Sequence, residues 1–215
     1  MYITYLLLVV TIAISVKGFS DNAFKWKLMF NPYNVIHNKE WYRSFTHAFI
    51  HADWTHLLFN MFVLWSFGVQ SQPGGPYKHL SLEPKLLDMY GTKGYLYFGC
   101  LYLGGILFSN LIALQKHRDN IHYNSLGASG AVMSVLFAYV LMNPTATIAL
   151  IFFPVPIPAY IMGPLILVAE YFMSKRGGTG IAHDAHFVGA IYGILFMTIV
   201  DYQLLIEFFS KIGGS

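Results

Sequence analysis

The stretch NSLGASGAVMSVLFAYVLMNP, residues 124–144, opens a long apolar run with a cluster of Gly, Ala and Ser. Residues 127–142 of this run predict a helix that crosses or nearly crosses the hydrocarbon core of a bilayer, about 30 Å at 1.5 Å per residue. Small residues at its start would let a second helix approach closely. Ser129 lies in the predicted first turn, where backbone N–H groups lack partners within the helix and can bind a developing oxyanion.

The composition of the whole chain indicates a membrane protein. Of its 215 residues, 56% are hydrophobic and only 11% are charged, and the mean hydropathy is +0.52. Soluble domains carry about 25% charged residues, so the deficit indicates lipid as the solvent. The net charge is only +3, without a basic block, so nucleic acid is not an expected partner. The single cysteine, Cys100, excludes an internal disulfide and a thiolate metal site, and we expect it to be buried.

Five further apolar runs predict an all-α membrane protein, a six-transmembrane-helix bundle in a single domain that covers residues 1–215. The expected spans are about 2–16, 54–69, 94–114, 127–142, 158–173 and 187–209. The first run has no Lys or Arg before it and no A-x-A site after it, so we interpret it as a retained span. Residues 146–157 are also apolar, but Pro154, Pro156 and Pro158 predict an extended, interfacial connection there.

The two longest connections differ in character. Residues 17–50 mix aromatic side chains with Lys and Arg, which is typical of a segment in the headgroup layer of the bilayer. Residues 71–93 contain the sequence QPGGP and charges of both signs, which predicts an ordinary aqueous loop.

Polar side chains cluster where spans two, four and six begin. In an alternating bundle these three spans start at the same membrane face. Span two begins with His56 and Asn60, which share one helix face at positions i and i+4. Span four begins with Ser129, and His186 directly precedes the run of span six. Ionisable groups at such depths are costly and usually face a cavity or a partner.

Small residues predict which of these spans touch. Ala185, Gly189 and Gly193 form a small-xxx-small stripe on span six, and span four offers Gly127 and Gly130. Close packing of the two stripes would bring the Ser129 hydroxyl and the His186 imidazole into hydrogen-bond reach. The sequence therefore predicts a serine paired with a histidine base near one membrane face.

Each polar residue also has an ordinary structural interpretation. A serine in a membrane helix commonly bonds to its own backbone. His47 and His51 precede span two, so we expect them to brace the interfacial segment. His183 is expected to support the site, whereas Asp184 lies about 200° around the helix from His186 and is poorly placed to orient its imidazole.

Four motifs, in this order along the chain, resemble a rhomboid intramembrane serine protease of the bacterial type with a six-span core. They are EWYR at 40–43, HADWTHLLFN at 51–60, GASG at 127–130 and AHFVGAIYG at 185–193. The resemblance covers nearly the whole chain. Two departures are visible: Tyr42 separates Trp41 from Arg43, and Met133 occupies a position where some members place an aromatic ring against the catalytic histidine.

The resemblance implies a role for each matching residue. Ser129 would be the nucleophile and His186 its general base, in a dyad without a carboxylate. His56, Asn60 and the backbone N–H of Ser129 would form the oxyanion hole, and Arg43 would anchor the first loop. Supporting positions would be Gly127, Gly130, Gly189, Gly193 and Met133.

The implied function is cleavage of transmembrane segments of other membrane proteins, so the expected partners are transmembrane substrates and the lipid bilayer. No cofactor and no metal are expected. The implied membrane is a bacterial-type inner or plasma membrane, with the active site toward the extracytoplasmic face. That topology places nine of the 13 Lys and Arg residues outside and four inside, whereas the positive-inside rule favours the reverse.

Three alternatives remain open. A catalytically silent rhomboid-like protein would bind membrane helices, although such proteins lack the Ser or the His. A metalloprotein would use the histidines, but H-E-x-x-H is absent and HAFIH at 47–51 has no evident third ligand. A channel or transporter would show inverted repeats, which the sequence lacks.

The fifth span is the predicted entry route for a substrate. Gly163 and Pro164 interrupt this span, and three glycines make residues 174–182 a flexible cap directly before span six. We expect span five to be the least anchored helix of the bundle.

Overall fold

The computed structural model describes residues 2–70, 81–150, 153–176 and 183–214. Its secondary structure consists of helices and one β-hairpin, in which Thr147 pairs with Pro158. The helices are α1 Ile3–Ser20, α2 Asn22–Leu28, α3 Pro32–His37, α4 Arg43–Thr46, α5 Trp54–Gly68, α6 Leu82–Tyr90, α7 Lys93–Ser109, α8 Leu111–Lys116, α9 Ser129–Met142, α10 Ala159–Arg176, α11 His183–Val200 and α12 Gln203–Gly213. A 3₁₀ helix, His47–Phe49, follows α4, and the strands are β1 Thr147–Leu150 and β2 Phe153–Pro158.

The helices confirm the predicted all-α membrane architecture. Among the described residues, Ile3–Ser20, Lys93–Lys116 and His183–Val200 are long and apolar enough to cross a membrane. Two shorter apolar helices cover Ser129–Met142 and Ala159–Met173. The total of six membrane spans stays a prediction, because not every one of the helices is long and apolar enough to count as a span.

Helix α9 lies at the centre of the bundle, and every residue from Gly130 to Met142 is buried. Its closest neighbour is α11. A Cβ placed on Gly189 would lie 2.1 Å from the carbonyl oxygen of Gly130, and one on Gly193 would lie 2.3 Å from that of Ser134. Only glycine fits backbones this close, so the predicted contact between the small-residue stripes of spans four and six is confirmed.

The last span differs from its predicted bounds of 187–209. Helix α11 begins four residues earlier, at His183, and ends at Val200, and α12 follows as a separate helix. Asp201 separates them, because its carboxylate accepts hydrogen bonds from the Gln203 N–H at 3.0 Å and the Tyr90 hydroxyl at 2.9 Å. The earlier start places His183 and His186 inside the first turn of the helix.

Two predictions need correction, one about a connection and one about Cys100. Part of the expected aqueous loop at 71–93 is helix α6, whose Leu82, Glu83 and Leu86 are buried. The Glu83 carboxylate accepts hydrogen bonds from the N–H groups of Ile3 and Thr4 and so caps α1. Residues 71–80 lie outside the described residues.

Cys100 is exposed and not buried, because it lies on the face of α7 away from the core.

The proline-containing connection has the predicted extended backbone, whereas the position of the first loop in the headgroup layer stays a prediction. Residues 147–150 and 153–158 are extended, as the prolines predicted, and they pair as a hairpin that leads into α10. The first loop folds into α2, α3, α4 and the 3₁₀ helix. Trp26 and Trp41 in this loop are both more than half exposed, at 57% and 59%, as aromatic rings in a headgroup layer would be.

Candidate active site

The loop before Ser129 is held to the first loop by backbone hydrogen bonds. Ser125 forms an isolated antiparallel bridge with Phe30, with N···O distances of 2.9 and 3.0 Å. The Gly127 N–H donates to the carbonyl of His47 at 2.9 Å. Gly127 has φ +111°, a conformation that L side chains rarely adopt. These contacts fix the direction in which the chain enters α9 at Ser129.

His51 extends this support to the residue next to the serine. Its Nε2 accepts the Ala128 N–H at 3.4 Å, and its Nδ1 lies 2.9 Å from the Ser15 hydroxyl. That hydroxyl donates its own hydrogen to the carbonyl of Phe49 at 3.0 Å. It must therefore accept a hydrogen bond from the N–H at Nδ1 of His51. The network therefore requires a neutral His51 with its hydrogen on Nδ1.

Burial keeps both first-loop histidines neutral. Desolvation lowers the pKa of His51 to about 3, and the neighbouring His56 adds to this shift. Desolvation likewise lowers the pKa of His47 to about 4. The His47 ring nitrogen Nε2 lies 2.9 Å from the Asn110 amide. Sequence analysis assigned both residues to bracing the interfacial segment, and the structure adds that they hold the loop of the candidate nucleophile.

His56 lies directly against the serine loop. A Cβ on Gly127 would lie 2.6 Å from Cε1 and 2.8 Å from Nε2 of the His56 ring. Asp53 caps α5 by accepting the His56 N–H at 2.8 Å. Asn60 is buried one turn later and donates its amide to the His56 carbonyl at 2.9 Å. One of the two Asn60 amide hydrogens is therefore used within α5.

His186 lies in the first turn of α11, close to the start of α9. The carbonyl oxygen of Ala185 lies 3.5 Å from the Cβ position of Gly130, and His186 is near enough to His56 for their charges to interact. Within the described residues, Nε2 of His186 is buried without a hydrogen-bond partner. The expected hydrogen bond from Ser129 is therefore not formed in this structure; such contacts often tighten only when substrate is bound.

The structure adds a carboxylate where the resemblance implied none. Oε1 of Glu170 lies 3.0 Å from Nδ1 of His186, at ion-pair distance but outside good hydrogen-bond angles. Oε2 lies 2.5 Å from Nδ1 of His183. Sequence analysis missed Glu170, although an acidic residue within an apolar span was the available signal. Asp184 instead lies 3.6 Å from Lys116, away from His186 as predicted.

The remaining supporting residues lie around this centre. Arg43 is buried and donates to the carbonyls of Trp26 and Met29 at 2.8 and 2.9 Å, and it also pairs with Glu40. It therefore joins α4 to the end of α2, and its role as an anchor of the first loop stays a prediction. Met133 is buried in an apolar cluster that includes Ala190 of α11.

The only group of at least three acidic, His or Cys side chains in the described ranges that could surround a cation is Glu170, His183 and His186. The nitrogen and oxygen atoms they offer lie within 4.8 Å of one another. Direct contacts between the carboxylate and the imidazoles account for this arrangement without an ion. The absence of a metal therefore stays a prediction.

Comparison with known proteins identifies the class. A family model described as a rhomboid domain matches residues 38–203. This match covers most of the chain and all of the residues predicted for the site. The chain belongs to the rhomboid family of integral membrane proteins, whose members are generally intramembrane serine proteases.

Several curated proteins are similar to this chain. It is 29% identical to RHOMBOID-like protein 12, mitochondrial, of Arabidopsis thaliana, over 67% of this chain and 42% of that protein. It is 30% identical to Rhomboid protein 1, mitochondrial, of Saccharomyces cerevisiae, over 69% and 39%. It is 28% identical to the Presenilin-associated rhomboid-like protein, mitochondrial, of Homo sapiens, over 70% and 36%.

The aligned part of the chain spans about four-tenths of the length of these relatives. Their names all include the word mitochondrial, so they give no support to the expected bacterial-type plasma membrane.

Proposed function

We propose that this protein is an intramembrane serine endopeptidase that cleaves transmembrane segments of other membrane proteins. Ser129 Oγ attacks the carbonyl carbon of the scissile peptide, and Nε2 of His186 takes the hydroxyl proton. The imidazolium then returns that proton to the leaving amine. In the second stage Nε2 takes a proton from a water molecule as its oxygen attacks the acyl carbon, and the imidazolium then protonates Ser129 Oγ as the ester bond breaks, which releases the acid product and regenerates the serine.

The contact between the starts of α9 and α11 carries this proposal. It brings the candidate nucleophile and a buried histidine, whose Nε2 has no hydrogen-bond partner among the described residues, to the same end of two tightly packed helices. Serine is a weak nucleophile until a neighbouring base takes its proton, and a neutral imidazole is well matched to that task near pH 7.

The geometry around Gly127 supports an oxyanion hole beside the serine. The His56 ring lies against the loop that leads into the free N–H groups of the first turn of α9. His56, Asn60 and the Ser129 N–H are the proposed donors. The amide hydrogen of Asn60 that is not bonded to the His56 carbonyl would be the one available.

The test is cleavage of a transmembrane test substrate by purified protein in detergent, compared with Ser129→Ala. Wild type should cleave and Ser129→Ala should not, with unchanged thermal unfolding. A wild-type protein that binds the substrate but does not cleave it would favour the alternative of a catalytically silent rhomboid-like protein. Cleavage by Ser129→Ala would end the serine mechanism.

The proposed substrate route runs from the lipid beside α10. Pro164 lies inside this helix, and its Leu165, Val168 and Phe172 are at least half exposed. Helix α10 is anchored to α11 by Glu170, an anchor that sequence analysis did not include. The glycine-rich part of the predicted cap, 177–182, lies outside the described residues.

Engineered cysteines that join α10 to α5, made after Cys100→Ser, should slow cleavage of transmembrane substrates, and reduction should restore it. A small serine reagent should still label Ser129 in the cross-linked protein. Cleavage at the uncross-linked rate would contradict this route.

The proposed orientation has the site toward the extracytoplasmic face, although the Lys and Arg distribution favours the opposite. Asn120 lies in the exposed turn between α8 and α9 and provides a test. An impermeant maleimide should label Asn120→Cys, made after Cys100→Ser, from the extracytoplasmic side of sealed membranes. Labelling only after the membranes are opened would reverse the orientation.

A further inference from the structure

The carboxylate of Glu170 is the least expected group near the candidate base. It lies near the end of α10, a helix whose other residues from Ala159 to Met173 carry no charge. Its side chain is only 13% exposed. A charged group at such a position is costly unless it is paired, and the structure shows what pairs it.

Each carboxylate oxygen of Glu170 contacts one imidazole of α11. Oε2 lies 2.5 Å from Nδ1 of His183, and Oε1 lies 3.0 Å from Nδ1 of His186. The contact with His183 holds the Glu170 carboxylate in one orientation. Its other oxygen, Oε1, is thereby held next to His186. The two rings are nearly perpendicular, at 80° with centroids 5.9 Å apart, so each presents its own edge to Glu170.

The position of the Glu170 carboxylate favours one tautomer of His186. A carboxylate at Nδ1 favours a hydrogen on Nδ1, which leaves the lone pair of the neutral ring on Nε2. Nε2 is the buried ring atom available to a serine proton. When the ring takes that proton, the negative carboxylate stabilises the resulting imidazolium, as the aspartate does in soluble serine proteases.

We propose that Glu170 is a positioning residue that holds His186 in the tautomer and orientation needed for proton transfer, so that the site works as a Ser-His-Glu triad. This proposal rests on the proposed function. In this role Glu170 acts only through His186. His183 is a second positioning residue, because it holds the carboxylate in place.

Few charged or titratable groups surround Glu170 among the residues whose side chains the structure describes. Helix α11 presents His183 and His186 to it, and Tyr139 is the only titratable residue of α9. The strands β1 and β2 carry no titratable residue. His186 in turn is within electrostatic reach of His56. Removal of Glu170 therefore removes the one negative charge that directly contacts the base among the described residues.

Glu170→Gln tests this role, with Glu207→Gln as the matched control on the exposed face of α12, where Glu207 pairs with Lys211 at 2.8 Å. For Glu170→Gln we expect kcat to fall about 10- to 1,000-fold with KM little changed, since loss of the triad carboxylate in a soluble protease costs about 10⁴-fold. Glu170→Asp should recover part of kcat, and Glu207→Gln should match wild type.

A wild-type kcat in a folded Glu170→Gln would overturn the proposal. So would stoichiometric metal in the purified wild type together with loss of activity on chelation, since the cluster would then hold an ion. If Glu170→Gln does not fold, ¹⁵N NMR of the wild-type His186 ring decides: hydrogen on Nδ1 supports the proposal and hydrogen on Nε2 overturns it. Failure of wild type to cleave any transmembrane substrate would instead count against the proposed function.

Discussion

The two halves of the candidate site are held by different kinds of contact. The serine half is fixed mainly through its backbone, with the Ser125 bridge to Phe30 and the N–H groups of Gly127 and Ala128 bound by the first loop. The histidine half is fixed by side chains, because His186 is held by one carboxylate from α10. The strength of hydrogen bonds between neutral backbone groups changes little with protonation. The strength of the contact between Glu170 and His186 depends on the charge of the carboxylate and on the position of α10.

This difference suggests that one half of the candidate site is rigid and the other can adjust its position. The proposed nucleophile and oxyanion donors would form a preorganised half, which is the arrangement that lowers the barrier most effectively. The base forms an adjustable half that is coupled to the helix beside which we expect substrate to enter. Disturbing the two halves should therefore have different signatures.

The largest effect should follow removal of the base. We expect His186→Ala to lose cleavage completely, because the serine hydroxyl then has no proton acceptor. His122→Ala, in the exposed turn before α9, is the matched control and should behave as wild type. The measurement is the initial rate of substrate cleavage, with thermal unfolding to verify the fold. Substantial cleavage by a folded His186→Ala would exclude the proposed base.

The backbone of the serine half should be nearly as sensitive. Gly127→Ala would place a methyl group 2.6 Å from the His56 ring and would strain a φ of +111°. We expect roughly a 1,000-fold loss of kcat, because both the direction of the serine turn and the position of an oxyanion donor change. Gly99→Ala is the control, since a Cβ there meets nothing within 4 Å. Equal activity of the two variants would show that the loop tolerates movement.

The oxyanion donors should have smaller, separate effects. His56→Ala and Asn60→Ala should each lower kcat by roughly 10- to 1,000-fold without abolishing cleavage, as expected for one donor among several. His56→Ala should cost more, because its ring also packs against the serine loop. Steady-state kinetics in detergent would measure both. Wild-type turnover in both variants would make these residues structural.

The smallest expected effect is on stability and comes from the histidines under the serine loop. The folded pKa values of His51 and His47, about 3 and about 4, lie below the unfolded value of 6.5. The unfolded chain therefore binds more protons below pH 6.5, and stability that is fully present above that pH is lost as pH falls toward the folded values. The total loss is on the order of a few kcal/mol.

Thermal unfolding between pH 7.5 and pH 4 would measure this loss. His51→Gln should be less stable than wild type at pH 7.5 but should lose less on acidification. An identical pH dependence in the variant and in wild type would show that His51 is not held neutral by the fold.

The parts of this site that were predictable from sequence depend on local pattern. The stripes with Gly189 and Gly130 follow helical spacing, so the contact of spans four and six could be predicted before its distances were known. The position of Glu170 against His186 could not, because it depends on how α10 packs on α11 over a gap of 16 residues. The start of α11 at His183 was missed because a polar first turn carries little hydropathy signal.

The most direct test of the central claim is covalent labelling of purified wild-type protein in detergent with a small fluorophosphonate, followed by mass spectrometry of the adduct. Such a reagent reacts with an activated serine and needs no transmembrane substrate, so it reports on the Ser129–His186 pair alone. We predict one adduct, on Ser129, that is absent in His186→Ala and slower to form in Glu170→Gln. An adduct on another serine, or equal labelling of Ser129 in wild type and His186→Ala, would contradict the claim that His186 activates Ser129.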